Sequence, residues 1–511
     1  MRSLSTRISL LAFFLLTILT GCNTCNPKTG SLAIIMTSDV PAGQTYTFLE
    51  PTTSLTSVDF IARIFYPATD STGNTVTDGQ HPLIIFGHGR FSGPGSGFPN
   101  NYLHATYLMK QLSSWGYICV SVNFDVVHNL GSGISERGEL FLKAIDFMNA
   151  ENSNAASKFH NKIDMSQIGI IGHSRGGGGA TSAVNRNVAQ GSPRNIKALA
   201  TISPTNGNTT AVANMPQLMI YGTWDGDLSD APGYKLWDPA PRNQNKIYVE
   251  VYGANHFFFS DDLAYNQEIN GISRENHQNI AKGFINAFFD KEVRGLERYS
   301  WPEYLTFDRK VDTVEYYVQY MNKNQLIVDD GGPVGTATAN NFGGVNTPTS
   351  LTLFDNADLA TGSNQFGSTN GIRVSWNNAG DKLEFGFPSQ NVSAFDFISF
   401  RASQRHGEAG NTLNTFKTIK VKLTDASSNS FTLPISNTIY KGLQYPDQEE
   451  YPGGPSGFKN IPSTFRLKLS NFTGVNLNSI IRVTILFDAP NTAGFVNNTG
   501  AITFDDLEFT K

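Results

Sequence analysis

The sequence is poor in cysteine and in charge. Its 511 residues include three cysteines, and charged side chains make up 16% of the chain, with a formal net charge of −5. Three cysteines exclude a disulfide-stapled scaffold, and this charge gives no electrostatic basis for binding nucleic acid. After the N-terminus there is no apolar run long enough to cross a membrane, and no repeat of fixed period. The length instead predicts a soluble globular protein of more than one domain.

The one long apolar run lies at the N-terminus and has the pattern of a targeting signal. Arg2 and Arg7 precede an apolar core, Ile8 to Leu19, and supply the positive charge of such a signal. This core is too short for a comfortable membrane span. It ends in Leu19-Thr20-Gly21-Cys22, which resembles the lipobox of bacterial lipoproteins. The resemblance implies cleavage before Cys22, a lipid anchor on that cysteine, and a place in the bacterial cell envelope, at the outer membrane or cell surface. An ordinary secretory signal with a chance cysteine is the alternative.

A glycine-rich stretch in the first half of the chain carries the strongest functional pattern. The apolar, β-branched run 168–171 predicts a buried strand, and the tract after Gly176 can begin a helix. Between them, Gly172-x-Ser174-x-Gly176 matches the nucleophile elbow, a strand–turn–helix that holds a serine hydroxyl at the top of a sheet. Glycines are needed there because bulk beside the strained serine would collide with the strand and the helix. Ser174 is therefore the predicted nucleophile, and a glycine-rich turn with an incidental serine is the alternative.

Strands and helices alternate on both sides of this stretch. Strands are predicted at 58–66, 82–86, 117–124, 168–171, 196–202, 217–221 and 246–252, and helices at 104–115, 136–149 and 274–292. Apolar strands alternating with helices predict an α/β fold with a doubly wound, mainly parallel sheet. Cys119 lies within one of these strands and is predicted to be a buried small side chain. Reactive groups should lie in the loops that follow the strands.

Beyond about residue 325 the pattern changes to short alternating runs separated by Asn, Gly, Ser and Thr. These runs lie at 351–354, 371–376, 382–387, 395–401, 418–423, 430–433, 464–469, 480–487 and 501–509. Such spacing predicts an all-β sandwich, jelly-roll-like in type. The chain is thus divided into a signal peptide (1–21), a tether (22–40), a catalytic domain (41–325) and a β-sandwich domain (326–511).

A serine nucleophile needs a base, and one histidine is best placed to serve it. His256 directly follows the predicted strand 246–252, so that its loop can reach Ser174. The rivals are His88, His104, His173 and His277. His173 adjoins the serine, but neighbouring side chains at an elbow point apart, and His277 is expected at the surface of the last helix.

The base needs an orienting carboxylate, and the oxyanion needs two N–H donors. Asp225 follows the predicted strand 217–221 and is the candidate acid, with Asp227 as the next choice. One oxyanion donor should be the backbone N–H of Arg175, which follows the nucleophile. The second should come from the loop after strand 82–86, where Arg90 is the candidate and Phe91 its rival. His88 is expected to shape this loop.

The chain order Ser174, Asp225, His256 resembles that of α/β-hydrolase-fold serine hydrolases. The run from Gly172 to Gly179 is similar to the dienelactone-hydrolase-like and cutinase-like polyester hydrolases and to the acetylhydrolases of platelet-activating factor, over about residues 55–295. The resemblance implies an ester hydrolase that needs no metal or cofactor and forms an acyl-enzyme on a small-molecule or polymer-borne ester. Arg175 departs from the methionine usual in those polyester hydrolases, which places a charge near the site and disfavours a polyester substrate.

The C-terminal region resembles galactose-binding-like carbohydrate-binding modules, chiefly in its closing run 500–509. The resemblance implies glycan binding. Asp505 and Asp506 are candidate ligands for a structural calcium, with solvated strand-end residues as the alternative. Trp376 is expected in the core, whereas the loop from Tyr440 to Tyr451, which includes Tyr445, is the candidate for an exposed aromatic patch.

Two other functions remain as hypotheses. The first is an envelope lipoprotein that binds polysaccharide and uses the hydrolase domain only as a scaffold. The intact set of serine, aspartate and histidine disfavours it. The second is a serine peptidase of the same fold, which is disfavoured because no large lid or propeller is evident to select peptides.

Overall fold

The order of strands and helices builds a mixed nine-stranded sheet, followed by a region of antiparallel sheets. The computed structural model describes residues 33–36, 45–48, 56–69, 75–90, 100–127, 133–207, 210–212, 214–261, 271–297, 304–306, 308–331, 338–358, 361–362, 369–413, 415–435, 442–446, 448–451, 454–487 and 499–511. The predicted signal peptide and Cys22 lie outside these residues. Within the described residues, no helix has both the length and the apolar character that crossing a membrane requires.

The first part of the chain contains eleven of the described strands and the five described α-helices of four residues or more. The strands are β1 Ala33–Met36, β2 Thr45–Phe48, β3 Thr56–Asp59, β4 Ala62–Ala68, β5 His81–Gly87, β6 Ile118–Val122, β7 Ile163–His173, β8 Ile196–Ile202, β9 Gln217–Gly222, β10 Lys246–Val251 and β11 Tyr316–Met321. The helices are α1 Thr106–Ser114, α2 Ile134–Ser153, α3 Arg175–Ala189, α4 Tyr234–Trp237 and α5 Arg274–Glu292.

The sheet has the order β1-β4-β6-β5-β7-β8-β9-β10-β11. The strands from β6 to β10 pair in parallel, whereas β1, β4 and β11 pair antiparallel to their neighbours. The predicted α/β class is therefore confirmed, and the sheet is mixed. No strand was predicted between the last helix and residue 325, whereas the structure places β11 there as an edge strand beside β10. Its aromatic residues pack into the same core as α5.

Helices cover both faces of the sheet, and each helix packs on it through an apolar stripe with helical spacing. Leu108 and Leu112 of α1 pack with Phe284 of α5 in one core, and Leu140 of α2 packs with Val184 of α3 in the other. Cys119 is buried in the first core, and burial raises the pKa of its thiol to about 12. The thiol is therefore un-ionised at neutral pH, in agreement with the prediction of a buried small side chain.

The C-terminal β-region, residues 325–511, contains the remaining strands. These are β12 Gln325–Asp329, β13 Val345–Thr349, β14 Thr352–Asp358, β15 Thr361–Gly362, β16 Asn370–Trp376, β17 Lys382–Gln390, β18 Phe397–Gln404, β19 Phe416–Lys417, β20 Ile419–Asp425, β21 Ser430–Ile435, β22 Leu443–Gln444, β23 Gln448–Tyr451, β24 Gly454–Asn460, β25 Ser463–Lys468, β26 Ile480–Leu486 and β27 Gly500–Thr510. One sheet has the order β14-β16-β27-β18-β25 with β12 beside β27, and another has the order β13-β17-β26-β20-β21.

These two sheets share one apolar core, to which Phe385, Phe400 and Phe504 contribute. Trp376 is buried in this core and stacks on Phe487, with 4.5 Å between ring centroids. The extensive β-structure predicted for this region is therefore confirmed, together with the core position of Trp376.

Two other expectations for this region fare differently. The prediction of an exposed aromatic patch was wrong at Tyr445, because this side chain is buried and its hydroxyl lies 2.8 Å from His406 Nδ1. Tyr440 lies outside the described residues. Asp505 and Asp506 face guanidinium groups, since Asp505 lies 2.7 Å from an Arg401 nitrogen and Asp506 contacts both Arg401 and Arg242. Calcium binding there stays a prediction that these contacts do not support.

Candidate active site

The elbow forms where β7 ends and α3 begins. Ser174 lies between them with φ 55° and ψ −123°, a conformation that is strained for a residue with a side chain. Its carbonyl oxygen accepts the N–H groups of Gly177 and Gly178, at 2.9 and 3.3 Å, which fixes the first turn of the helix. On the other side, the Ser174 N–H donates to the carbonyl of Ile202 in β8 at 2.9 Å, so both sides of the strained residue are held by hydrogen bonds.

The elbow glycines are required by close backbone contacts. A Cβ on Gly172 would overlap the backbone of Gly176, and a Cβ on Gly176 would overlap the carbonyl of Gly87. A Cβ on Gly89 would lie 2.6 Å from Ser174 Cβ and 3.2 Å from its Oγ. The end of β5 and the loop after it therefore lie directly against Ser174.

The predicted acid and base meet. The Nδ1 atom of His256 lies 2.8 Å from Asp225 Oδ2, and both side chains are buried. Because an ionised carboxylate only accepts hydrogen bonds, Nδ1 donates and Nε2 is left to accept a proton. The other carboxylate oxygen of Asp225 accepts the N–H of Leu228 at 2.8 Å. Asp225 is thus held in a fixed orientation toward the imidazole.

The loops after β9 and β10 bring these two residues together because their backbones are bound to each other. Trp224 donates its N–H to the carbonyl of Ala254 at 2.9 Å, and Gly253 donates to Thr223 Oγ1 at 2.9 Å. A Cβ on Gly222 would overlap the carbonyl of Ala254. The acid loop and the base loop therefore form one unit at the carboxyl edge of the parallel strands.

His173 links this unit to the elbow. Its Nε2 lies 3.1 Å from the carbonyl oxygen of His256, and the two rings lie 4.9 Å apart by centroid. Burial, and then the neighbouring His256, lower the pKa of His173 well below its usual value. His173 is therefore neutral and donates to the base loop, which joins the residue before Ser174 to the candidate base.

His277 is not at the surface, and the expectation that it would be was wrong. It is fully buried, its Nε2 accepts the N–H of Asn255 at 2.8 Å, and its Nδ1 lies 2.7 Å from the carbonyl of Ser273. Burial lowers its pKa to about 4. His277 thus supports the base loop one residue before His256. The spacing of His277 with Ile280, Ala281 and Phe284 marks the buried face of a helix and was the signal for this role.

Two other candidate histidines, His88 and His104, lie near the loop after β5 and not on the loop of Asp225. His88 accepts the N–H of Phe124 at Nε2, at 2.7 Å, and its Nδ1 lies 2.6 Å from the carbonyl of Gly89. Both ring nitrogens are thereby used in the loop after β5, which agrees with the expectation that His88 shapes it. His104 lines a small cavity together with His88 and His173.

The charged residues of the site lie around Ser174. Arg175 is the first residue of α3, whose first N–H groups have no partner within the helix, and Arg90 is exposed next to Gly89. Burial and the nearby charge of Arg90 lower the pKa of Arg175, and Asp227 opposes this shift. Asp227 is half exposed, with a carboxylate oxygen 3.5 Å from His256 Nε2. Phe91, the rival oxyanion donor, lies outside the described residues.

Part of the chain is similar in sequence to known proteins. Residues 95–281 match a family model described as PETase, PET hydrolase-like. Relatives include cutinase est2 of Thermobifida alba, 25% identical over 32% of this chain and 50% of its own length, and cutinase 1 of Thermobifida cellulosilytica, 27% identical over 32% of this chain and 58% of its own. A bis(hydroxyethyl) terephthalate hydrolase of Streptomyces coelicolor is 24% identical over 38% of this chain and 54% of its own. The chain spans about half the length of these curated relatives.

Proposed function

We propose that this chain is a serine hydrolase that cleaves carboxylic esters. One observation carries the proposal: His256 is hydrogen-bonded to the buried carboxylate of Asp225, in a loop that also contacts the residue beside Ser174. Such an arrangement lets an imidazole take a proton from a serine hydroxyl while a carboxylate stabilises the imidazolium. The similarity to cutinases and to a terephthalate ester hydrolase supports an ester as the substrate.

The proposed reaction has two steps. Ser174 Oγ attacks the ester carbonyl while His256 Nε2 takes its proton, and His256 then returns this proton to the leaving alcohol. His256 then takes a proton from a water molecule that attacks the acyl-enzyme, and returns it to Ser174 Oγ as the bond to the acyl group breaks and the carboxylic acid leaves. The backbone N–H groups of Arg175 and Arg90 stabilise the oxyanion in both steps. All of these groups belong to the protein, so the mechanism needs no metal or cofactor.

Acylated polysaccharides and lipid esters are the proposed substrates, and a lipobox at Cys22 would place the enzyme in the bacterial envelope. The positive charge of Arg175 beside the nucleophile disfavours a purely apolar polyester surface. Glycan binding by the C-terminal β-region is part of this proposal, although Tyr445 is buried and leaves the aromatic contact to other residues. Affinity electrophoresis of the full chain in acetylated xylan tests that part.

Turnover of p-nitrophenyl esters of increasing acyl length, of bis(hydroxyethyl) terephthalate and of acetylated xylan tests the reaction. We expect measurable hydrolysis of short acyl esters by the wild type, and at least about a 1000-fold lower rate for Ser174→Ala. Ser203→Ala is the matched control, because Ser203 is also buried and follows β8 as Ser174 follows β7. An inert wild type, or equal losses in the two variants, would overturn the proposal.

A further inference from the structure

The acid segment, residues 225–238, begins and ends at a buried aspartate. Within it, Ala231 donates its N–H to the carbonyl of Leu228 at 2.9 Å, and Tyr234 donates to Ala231 at 2.9 Å. Asp238 then donates to Tyr234 at 2.8 Å. Because Leu228 also donates to the Asp225 carboxylate, one continuous chain of hydrogen bonds runs from the candidate acid to Asp238.

The far end of this segment is held by the C-terminal β-region. The Asp238 carboxylate accepts the N–H of Thr369 at 3.2 Å and its hydroxyl at 2.9 Å. It also accepts an N–H of the Arg401 guanidinium at 3.2 Å. Thr369 directly precedes β16, and Arg401 lies in β18, so strands far along the chain fix the end of the acid segment.

Arg401 is itself held rigidly. It is buried, and its guanidinium contacts Asp505 at 2.7 Å and Asp506 at 2.5 Å. Asp506 is also paired with Arg242, which belongs to the chain before β10. A buried guanidinium among three carboxylates has little freedom to move without leaving a charge unpaired. Arg401 is therefore a fixed point for Asp238 and not a flexible surface contact.

A second contact braces the middle of the acid segment. The Tyr234 hydroxyl accepts an N–H of the Gln319 amide at 3.1 Å, and the amide oxygen of Gln319 accepts from Arg401 at 3.2 Å. Gly233 donates its N–H to the Tyr221 hydroxyl at 3.3 Å. The segment is thus tied to β9 and β11 of the catalytic sheet and, through Arg401, to the C-terminal β-region.

We propose that Arg401 is a positioning residue for hydrolysis, which holds Asp238 and thereby keeps Asp225 aligned with His256. This proposal rests on the proposed function, since it assigns Arg401 a part in the same reaction. The C-terminal β-region is then a component of the catalytic unit in addition to any role in binding. A displacement of a catalytic group by about 1 Å is enough to cost up to about 100-fold in rate.

The test uses the full chain and the variants Arg401→Gln and Asp238→Asn, with kcat and KM measured on a short p-nitrophenyl ester. We expect kcat to fall about 10- to 100-fold while KM changes less than about twofold. The acid limb of the pH–rate profile should also move to lower pH, because a misaligned Asp225 stabilises the imidazolium less. Arg401→Lys, which keeps the positive charge, should recover part of the lost kcat.

Arg373→Gln is the matched control. Arg373 lies in β16 of the same sheet, and its guanidinium pairs with Glu408 at 2.6 Å. We expect this variant to keep the wild-type kcat and pH profile even if its melting temperature falls. Thr369→Val removes only the hydroxyl that donates to Asp238, and it should lower kcat about two- to fivefold. This variant tests the positioning role if Arg401→Gln does not fold.

The two proposals fail in different ways. A wild type without esterase activity overturns the proposed function. The wild type could instead be active while its folded variants keep the wild-type kcat and pH profile. That result in Asp238→Asn, Arg401→Gln and Thr369→Val would overturn only the positioning role of Arg401. Equal losses in Arg373→Gln would also overturn it, because they would report a general effect of stability.

Discussion

The two ends of the acid segment present the same side chain in opposite circumstances. Asp225 faces an imidazole, whereas Asp238 faces the guanidinium of Arg401, and both aspartates are buried. An imidazole changes its charge near neutral pH, but a guanidinium stays charged in proteins. The first contact can therefore take part in proton transfer, and the second can only fix a position. The partner, and not the aspartate, decides what each carboxylate does.

The largest expected effect separates Asp225 from its neighbour Asp227. Asp225→Asn should lower kcat about 10⁴-fold, because the amide would favour the wrong tautomer of His256 and leave the imidazolium unstabilised. Asp227→Asn, at a half-exposed residue 3.5 Å from His256 Nε2, should lower kcat less than about tenfold. Steady-state kinetics on a short acyl ester measures both.

Circular dichroism spectra of the two variants control for folding. The assignment of the acid would be wrong if Asp227→Asn lost activity to the larger extent. In that case the buried carboxylate at 225 would have the fixing role that we assign to the one at 238.

The second prediction concerns His277, which supports the base loop as Arg401 supports the acid segment. Burial lowers its pKa from the usual 6.5 to about 4, so the folded state binds its proton less readily than the unfolded chain does. The contribution of His277 to stability is therefore complete above about pH 6.5 and is lost as the pH falls through about 4, a difference of up to about 3 kcal/mol.

Urea unfolding of wild type and His277→Gln between pH 7.5 and 4 measures this contribution. We expect the variant to be less stable at pH 7.5 and its free energy of unfolding to fall less steeply toward pH 4. Parallel curves for the two proteins across this range would show that His277 is not a buried neutral acceptor.

The third prediction compares the elbow with a site in the C-terminal β-region. In Gly89→Ala, the added Cβ would lie 2.6 Å from Ser174 Cβ, so the loop that carries the Arg90 N–H must move. We expect kcat to fall about tenfold or more. Gly386→Ala is the control, since its nearest contact would be 3.6 Å away at the carbonyl of Val345, and its activity should stay at the wild-type level. Unchanged activity in Gly89→Ala would place the oxyanion donors elsewhere.

The sequence predicts those parts of the site whose signal is local. The elbow at Ser174 is set by five neighbouring residues, and Asp225 and His256 each follow an apolar strand whose end is easily recognised. Strand β8 and helix α5 have the predicted bounds, 196–202 and 274–292. The apolar pattern that predicts each of them lies entirely within its own residues.

The parts that depend on distant partners could not be predicted in the same way. Asp505 and Asp506 suggested calcium because their partners, Arg401 and Arg242, are remote in sequence and give no local pattern. The edge strand β11 was missed because its burial comes from α5 and from the C-terminal β-region. Tyr445 was expected to be exposed for the same reason, since its contact with His406 is made only in the folded sheet.

Mapping of a fluorophosphonate adduct by peptide mass spectrometry tests the central assignment most directly. The full chain and the variant His256→Gln are treated with the same probe, and the adduct is located after proteolysis. We predict one adduct in the wild type, on Ser174, and at least about a 100-fold slower reaction in His256→Gln. No adduct in the wild type, or an adduct on another residue, would contradict the account.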